Sequence, residues 1–133
     1  MERLFLVLAG INGLVAVALG AFGAHGLKAR LAAVADGTQR LAWWETAAHY
    51  HLMHALAIGL CAYLAARAPG AAAHASGFCF LVGIVLFSGS LYAMTLTGVR
   101  ALGAVTPLGG LFLLAGWAAV VLAALRSGAA SSG

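Results

Sequence analysis

Seven basic and three acidic residues divide the sequence into long uncharged runs at residues 4–27, 46–66, 68–99 and 101–125. A helix that crosses the hydrocarbon core of a bilayer needs about 20 predominantly apolar residues. Each of the runs reaches that length. The pattern therefore predicts an all-α integral membrane protein, folded as a bundle of four transmembrane helices.

Local signals indicate where these helices begin and end. Pro69-Gly70 interrupts the third run and Gly98 closes it. Thr106 followed by Pro107 matches an N-cap and a first helical residue. The expected helices are about 4–25, 38–67, 73–98 and 107–126, in a single domain at 1–126 with a flexible tail at 127–133.

The segment between the first two helices, GLKARLAAVADGTQR, has a helical pattern of its own. Leu27, Leu31 and Val34 share one face, and Lys28 and Arg30 lie off that face. The pattern predicts a short amphipathic helix that lies in the membrane interface.

Composition and charge support a lipid environment. The chain is 64% hydrophobic and 8% charged, whereas soluble domains are about half apolar and about a quarter charged. The first run exceeds the core of a signal peptide, about 7–15 residues, so it is interpreted as a permanent helix. Three basic residues fall on one side of the predicted bundle and four on the other, which gives no clear excess to set its orientation.

Scattered basic residues also limit the class of partner. A net charge of +4 without a basic cluster suits contact with anionic lipid headgroups and excludes a nucleic-acid interface. Cys61 and Cys79 both lie in apolar runs and are interpreted as small core residues. The expected location is the bacterial inner membrane, crossed several times.

The second helix carries an unusually polar segment, ETAAHYHLMHAL, at residues 45–56. At about 100° per residue, Glu45 and His49 fall on one side of the helix, with His51 and His54 on the opposite side. One metal ion therefore cannot take all four as ligands. Glu45 and His49 are expected at the headgroup level, beside an interfacial aromatic belt made by the neighbouring tryptophans 43 and 44.

The opposite side of this helix is small and aromatic, as the interior of a membrane bundle should be. His54 lies about 15 Å below the tryptophans, near the middle of the bilayer, where ionisable groups are costly and usually functional. Two interpretations stay open. His54 is a neutral structural residue bonded to a helix 3 serine or Trp117, or it forms a ligand or proton site with His51 and Tyr50.

Several other residues are candidates for the site or for packing. His25 is a further candidate ligand, although capping the first helix is the favoured interpretation. Small residues on one side of the first helix, and others in the third and fourth, are expected to let helices approach closely. The packing candidates are Gly13, Gly20, Gly23, Ser88, Gly89, Ser90, Pro107 and Gly109.

Four motifs, GAFGAHGLK, WETAAHYHLMHALA, FSGSLY and TPLGGLFLLAGW, occur in this order. They resemble the domain-of-unknown-function 423 family, small bacterial inner-membrane proteins related to the eukaryotic transmembrane protein 256. The resemblance covers nearly the whole chain and implies a four-helix membrane protein, with no established activity. It marks these positions: Gly20, Gly23, Gly26, His25, Tyr50, His54, Ser88, Gly89, Ser90, Thr106, Pro107 and Gly109.

Three classes of function follow from these observations. The first is a non-enzymatic accessory or assembly component that packs against other membrane proteins or against itself. The second is a binding protein for haem, a metal or a quinone-like ligand, and the third is a small transporter or proton pathway. The sequence has no phosphate-binding glycine loop and no nucleophile–base constellation, so no enzymatic activity is expected.

Overall fold

The computed structural model describes the backbone of residues 1–130 and the side chains as far as Arg126. This part of the chain contains helices and short connections but no strand, which confirms the all-α class. A short 3-10 turn at Arg100–Ala104 precedes the last helix. The helices are α1 at Glu2–Leu31, α2 at Gly37–Arg67, α3 at Ala71–Thr97 and α4 at Thr106–Ala130.

Among the described residues, three helical stretches are long and apolar enough to cross a membrane. They are Glu2–Leu31, Ala71–Thr97 and Arg100–Arg126. α2 is not one of them, because its histidines and charged residues lower its hydropathy. α2 is nevertheless unbroken from Gly37 to Arg67, in agreement with the predicted helix at residues 38–67.

α2 and α3 form the centre of the bundle. α1 packs along α2, and α4 packs along α3, so that α1 and α4 occupy opposite flanks. The main core joins the beginning of α1 to the second half of α2 and the first half of α3, around the fully buried Phe5, Ile58 and Phe80. Contacts between α2 and α4 are sparse, and this leaves a groove between them.

The short helix predicted after the first span is not a separate element. A π-helical turn at Gly23–Leu27 and an α-helical turn at Lys28–Leu31 continue α1 without a break. Leu27 and Leu31 are buried against Trp44 of α2, so the face predicted to contact the interface contacts another helix. His25 consequently does not cap the end of a helix, and its side chain is exposed.

Trp44 belongs to the core and not to an interfacial aromatic belt, which corrects the prediction. Only 2% of it is exposed, and its indole N–H donates to the Leu19 carbonyl at 2.8 Å. Gly23 leaves room for the indole, since a Cβ there would overlap it. The continuation of α1 past the predicted end covers this part of α2.

α4 begins at Thr106, so that Pro107 occupies its first turn and does not kink it, as predicted. The Thr106 hydroxyl is hydrogen-bonded to the Ser90 hydroxyl of α3 at 2.7 Å, so Thr106 joins two helices where a helix cap was expected. The α4 backbone continues through Ala130, into the predicted tail. The remainder of that tail, 131–133, lies outside the described residues.

Candidate functional site

The two buried histidines of α2 belong to separate hydrogen-bonded groups. His51 is 6% exposed and His54 is 4% exposed. Glu45 and His49 are both exposed, which agrees with the helical wheel. The polar segment of α2 therefore presents two histidines to the interior of the bundle, each towards a different neighbour.

Both ring nitrogens of His54 are hydrogen-bonded. Nδ1 lies 2.8 Å from the Tyr50 carbonyl oxygen, and Nε2 lies 3.3 Å from the indole nitrogen of Trp117. A carbonyl only accepts and an indole N–H only donates. His54 is therefore a neutral imidazole with its proton on Nδ1, and no nitrogen lone pair is free to ligate a metal or a haem iron.

The ring of Tyr50 lies at the edge of the interior and not inside it. Tyr50 is 39% exposed, with its ring centroid 4.6 Å from that of Phe87 and 5.9 Å from that of His54. The sequence predicts Tyr50 on the interior side of α2, in a candidate site with His51 and His54, and its exposure corrects that expectation. The reason is the divergence of α4 from α2, which leaves this side of Tyr50 uncovered.

A lateral groove runs between α2 and α4, with a volume of about 610 Å³. Its walls are mostly apolar, and they include Met53, Leu111 and the ring of Trp117. His49 and Tyr50 also line it, and both are exposed. The groove is large enough for an apolar ligand and offers polar groups along one wall.

His51 links three helices. Its Nε2 lies 3.2 Å from Oδ1 of Asn12 in α1, and its Nδ1 lies 3.4 Å from the hydroxyl of Tyr92 in α3. The Asn12 amide nitrogen donates to the Leu8 carbonyl at 2.8 Å, which leaves Oδ1 as the acceptor. His51 therefore donates from Nε2 to Asn12, and with a neutral imidazole the Tyr92 hydroxyl is the donor to Nδ1.

Sequence reasoning did not identify Asn12 or Tyr92. Asn12 is the one amide side chain in the apolar run at residues 4–27, and a polar side chain in such a run is expected to need an interhelical partner. The position of this amide in an apolar run was enough to identify Asn12 from the sequence as an interhelical contact. Tyr92 lies within the FSGSLY motif, but nothing in its spacing relates it to His51.

The serines of α3 have different environments. Ser90 donates to the Phe87 carbonyl at 2.9 Å or pairs with the Thr106 hydroxyl. Ser88 is 1% exposed, and within the described residues its hydroxyl has no hydrogen-bond partner. Ser88 lines a cavity of about 290 Å³ between α1 and α3, together with Asn12 and His51.

The predicted site residues do not form one cluster. His25 lies thirteen residues beyond Asn12 in the same helix, a separation of about 20 Å, so it is remote from His51. Cys61 pairs with the Ser76 hydroxyl at 3.1 Å, inside the core. In the part of the chain that the structure describes, no group of three or more histidines, cysteines or acidic residues could hold a metal ion.

The five glycines among the predicted packing residues also divide into two sets. Gly23 and Gly109 lie at close contacts, where a Cβ would overlap Trp44 or the backbone at Phe87. Gly13, Gly20 and Gly89 have no atom within 4 Å of the position of a Cβ. The second set therefore leaves space open on the helix surfaces.

Comparison with known proteins then identifies the family. A family model described as "Protein of unknown function (DUF423)" matches residues 19–110. The chain belongs to this family. UPF0382 membrane protein YwdK of Bacillus subtilis (strain 168) is 42% identical over 125 residues, covering 93% of this chain and 98% of YwdK. UPF0382 inner membrane protein YgdD of Escherichia coli (strain K12) is 41% identical over 125 residues, covering 94% of this chain and 92% of YgdD.

Membership of the DUF423 family confirms the resemblance carried by the four motifs. No solved structure matches the chain. The relatives are membrane proteins by name, and YgdD is an inner-membrane protein. Together with the helices that can cross a membrane, this confirms the predicted location of the chain, as a multi-pass protein of the bacterial inner membrane.

Proposed function

We propose that this DUF423 protein is a four-span accessory component that associates with another membrane helix through α1 and has no catalytic chemistry of its own. α2 packs between α1 and α3, both of which can cross a bilayer. It has 31 residues, a length of about 46 Å. α2 is therefore long enough to cross the same layer as its neighbours, as the fourth span.

The observation that carries the accessory role is the uncovered small-residue surface of α1. No atom lies within 4 Å of a Cβ built at Gly10, Gly13 or Gly20. Leu14 and Val17 on the outside of the same helix are 73% and 60% exposed. Small residues let membrane helices approach closely and pack by van der Waals contact, so this surface suits a helix of a partner protein.

The interior polar groups support a structural role for the histidines. His54 bonds α2 to α4, and His51 bonds α2 to α1 and α3. The series of hydrogen bonds from Tyr92 through His51 to Asn12 ends on the Leu8 carbonyl oxygen. A carbonyl oxygen has no proton to pass onward, so this series does not support a proton pathway. These bonds stabilise the bundle and leave its surface to make contacts with partners.

Substitution of the open glycines tests the proposal. The double variant Gly13→Leu, Gly20→Leu adds bulk where the chain itself has space, so it should fold normally and lose its partners. Cross-linking in native membranes, followed by affinity purification and mass spectrometry, measures the association. Ala118→Leu is the control, since it adds the same kind of bulk to an exposed position on α4. An unchanged set of cross-linked proteins in the double variant would count against the accessory role.

A second candidate function is the binding of an apolar ligand in the groove between α2 and α4. The volume of about 610 Å³ and the exposed His49 and Tyr50 on its wall favour this candidate. Leu111→Trp should fill the groove, because Leu111 lines it and is 62% exposed. The absorbance spectrum of the purified protein and the mass spectrum of its solvent extract would show whether a bound haem or quinone-like molecule disappears in this variant.

A further inference from the structure

Ser88 is the one buried side chain of the described residues whose polar atom has no hydrogen-bond partner. Native proteins rarely leave such a group unpaired. A serine in a helix commonly donates to a carbonyl three or four residues earlier, as Ser90 does to Phe87. Ser88 is the last residue of the π-helical turn Ile84–Ser88, a departure from α-helical geometry that is frequent at functional sites.

The space next to Ser88 can hold a partner for this hydroxyl, which reaches it by rotation of the side chain about χ1, since the oxygen is buried in its present rotamer. Ser88 lines the cavity between α1 and α3, whose volume is about 290 Å³, and a water molecule occupies about 30 Å³. The polar groups of Asn12, His51 and Tyr92, which also line it, are bonded to one another. The Ser88 hydroxyl is thus a donor with no partner in the described residues, and it suits a ligand that presents a hydrogen-bond acceptor.

An apolar groove continues from this cavity along α1 and α3. It has a volume of about 360 Å³, and Asn12 and Val85 line both spaces. Its other wall residues are apolar, including Leu81 and Leu86, and Val85 is 69% exposed. A polar end inside the bundle therefore connects to an apolar surface that faces the lipid.

From this arrangement we infer that the cavity binds a membrane-soluble molecule with a carbonyl head and a hydrocarbon tail. The Ser88 hydroxyl donates to the carbonyl oxygen, and the tail lies along the groove towards Leu81. The carbonyl can belong to a quinone or to the ester of a lipid, which present the same acceptor. The inference goes beyond the accessory role, because it requires no partner protein and uses Asn12 and Leu19 of α1, which are not among the open glycines.

Two substitutions test the site by different means. Ser88→Ala removes the donor and retains the cavity, and it should not impair folding because the hydroxyl bonds to no group of the protein. Gly89→Leu fills the cavity, since no atom lies within 4 Å of a Cβ at Gly89. Ser90→Ala is the matched control, because its hydroxyl is bonded within the bundle.

The first measurement titrates the purified protein in detergent with a benzoquinone that carries one isoprenyl unit. Quenching of tryptophan fluorescence should report binding, since the ring of Trp44 lies 4.6 Å from the ring of Tyr92, a cavity wall residue. The second measurement compares retention of ester-linked and ether-linked phosphatidylglycerol by native mass spectrometry. The ether lipid has no carbonyl, so selective retention of the ester lipid would identify the ligand as a lipid. Binding of the quinone without that selectivity would identify the ligand as a quinone.

For whichever probe binds, we expect Ser88→Ala to weaken binding about fivefold, the effect of one neutral hydrogen bond. Gly89→Leu should abolish binding, and Ser90→Ala should bind like the natural protein. If neither probe binds the natural protein, water alone occupies the cavity and the inference is overturned. It is also overturned if Gly89→Leu binds the probe as well as the natural protein does. This second test remains decisive even if Ser88→Ala does not fold.

Discussion

The indole N–H of Trp117 donates a hydrogen bond to Nε2 of His54 at 3.3 Å, and so joins α4 to α2. Few other contacts connect these two helices. The rings of His54, Phe80 and Trp117 pack against one another around this bond, with centroid separations of 5.2 to 6.2 Å. His54 thus connects the centre of the bundle to its flank.

We expect Trp117→Phe to destabilise the protein, because it removes the donor and leaves Nε2 of the buried His54 without a partner. Interhelical hydrogen bonds in membrane proteins contribute about 0.6 kcal/mol on average and up to about 1.7 kcal/mol. Unfolding in mixed detergent micelles should show this loss. In the His54→Leu background, Trp117→Phe should lower the free energy of unfolding by measurably less. Equal losses in both backgrounds would contradict an energetic coupling between Trp117 and His54.

Gly109→Ala should separate α4 from α3. A Cβ at Gly109 would overlap the backbone of α3 at Phe87, which cannot move aside as a flexible side chain could. Overpacking of this kind typically costs about 1–3 kcal/mol. The neighbouring Gly110→Ala is the control, since its Cβ meets only a ring atom of Phe87, at 3.9 Å. Equal melting temperatures for the two variants would show that the helices adjust without cost.

Arg40 of α2 stabilises the end of α3. Its Nε donates to the Thr95 carbonyl at 2.7 Å, and its terminal nitrogen donates to the Leu96 carbonyl at 3.1 Å. A cation near the last carbonyls of a helix also interacts favourably with the helix dipole. Arg40→Gln should therefore lower the free energy of unfolding by about 1.5–3 kcal/mol, as for hydrogen bonds from a charged group.

The control for Arg40 is Arg100→Gln. Arg40 and Arg100 both approach Asp36, at 3.8 and 3.6 Å. The Arg100 side chain is 69% exposed, so its removal should have little effect on the free energy of unfolding. Chemical denaturation of both variants in the same detergent makes the comparison. A larger loss from Arg100 than from Arg40 would refute the capping role.

Asn12→Ala should be more damaging than Tyr92→Phe, although both remove a partner of His51. The Asn12 bond to His51 is 3.2 Å long, whereas the Tyr92 bond is 3.4 Å long, near the limit for a hydrogen bond. Loss of Asn12 leaves the Nε2–H of His51 unpaired, at a cost of about 1–3 kcal/mol. Thermal unfolding of the two variants measures the difference, and the reverse order would show that Tyr92 is the main partner of His51.

Much of the fold could be predicted from the sequence alone. The apolar runs and the turn residues between them placed α2 within one residue of its observed beginning at Gly37, and Pro107 in the first turn of α4. The helical period also separated Glu45 and His49 from His51 and His54. These features depend on neighbouring residues and on the thickness of the bilayer, so they can be derived from the chain without its contacts.

Only the tertiary structure decided which groups the buried polar residues contact. Trp117 is 63 residues from His54, and Asn12 is 39 residues from His51. Trp44 is in the core because α1 continues past Gly23 to cover it, and local propensity does not predict that continuation. A hydrogen-bond partner is determined by the separation and rotation of whole helices, which the close contacts at Gly23 and Gly109 set together. The unpaired hydroxyl of Ser88 is a product of the same packing.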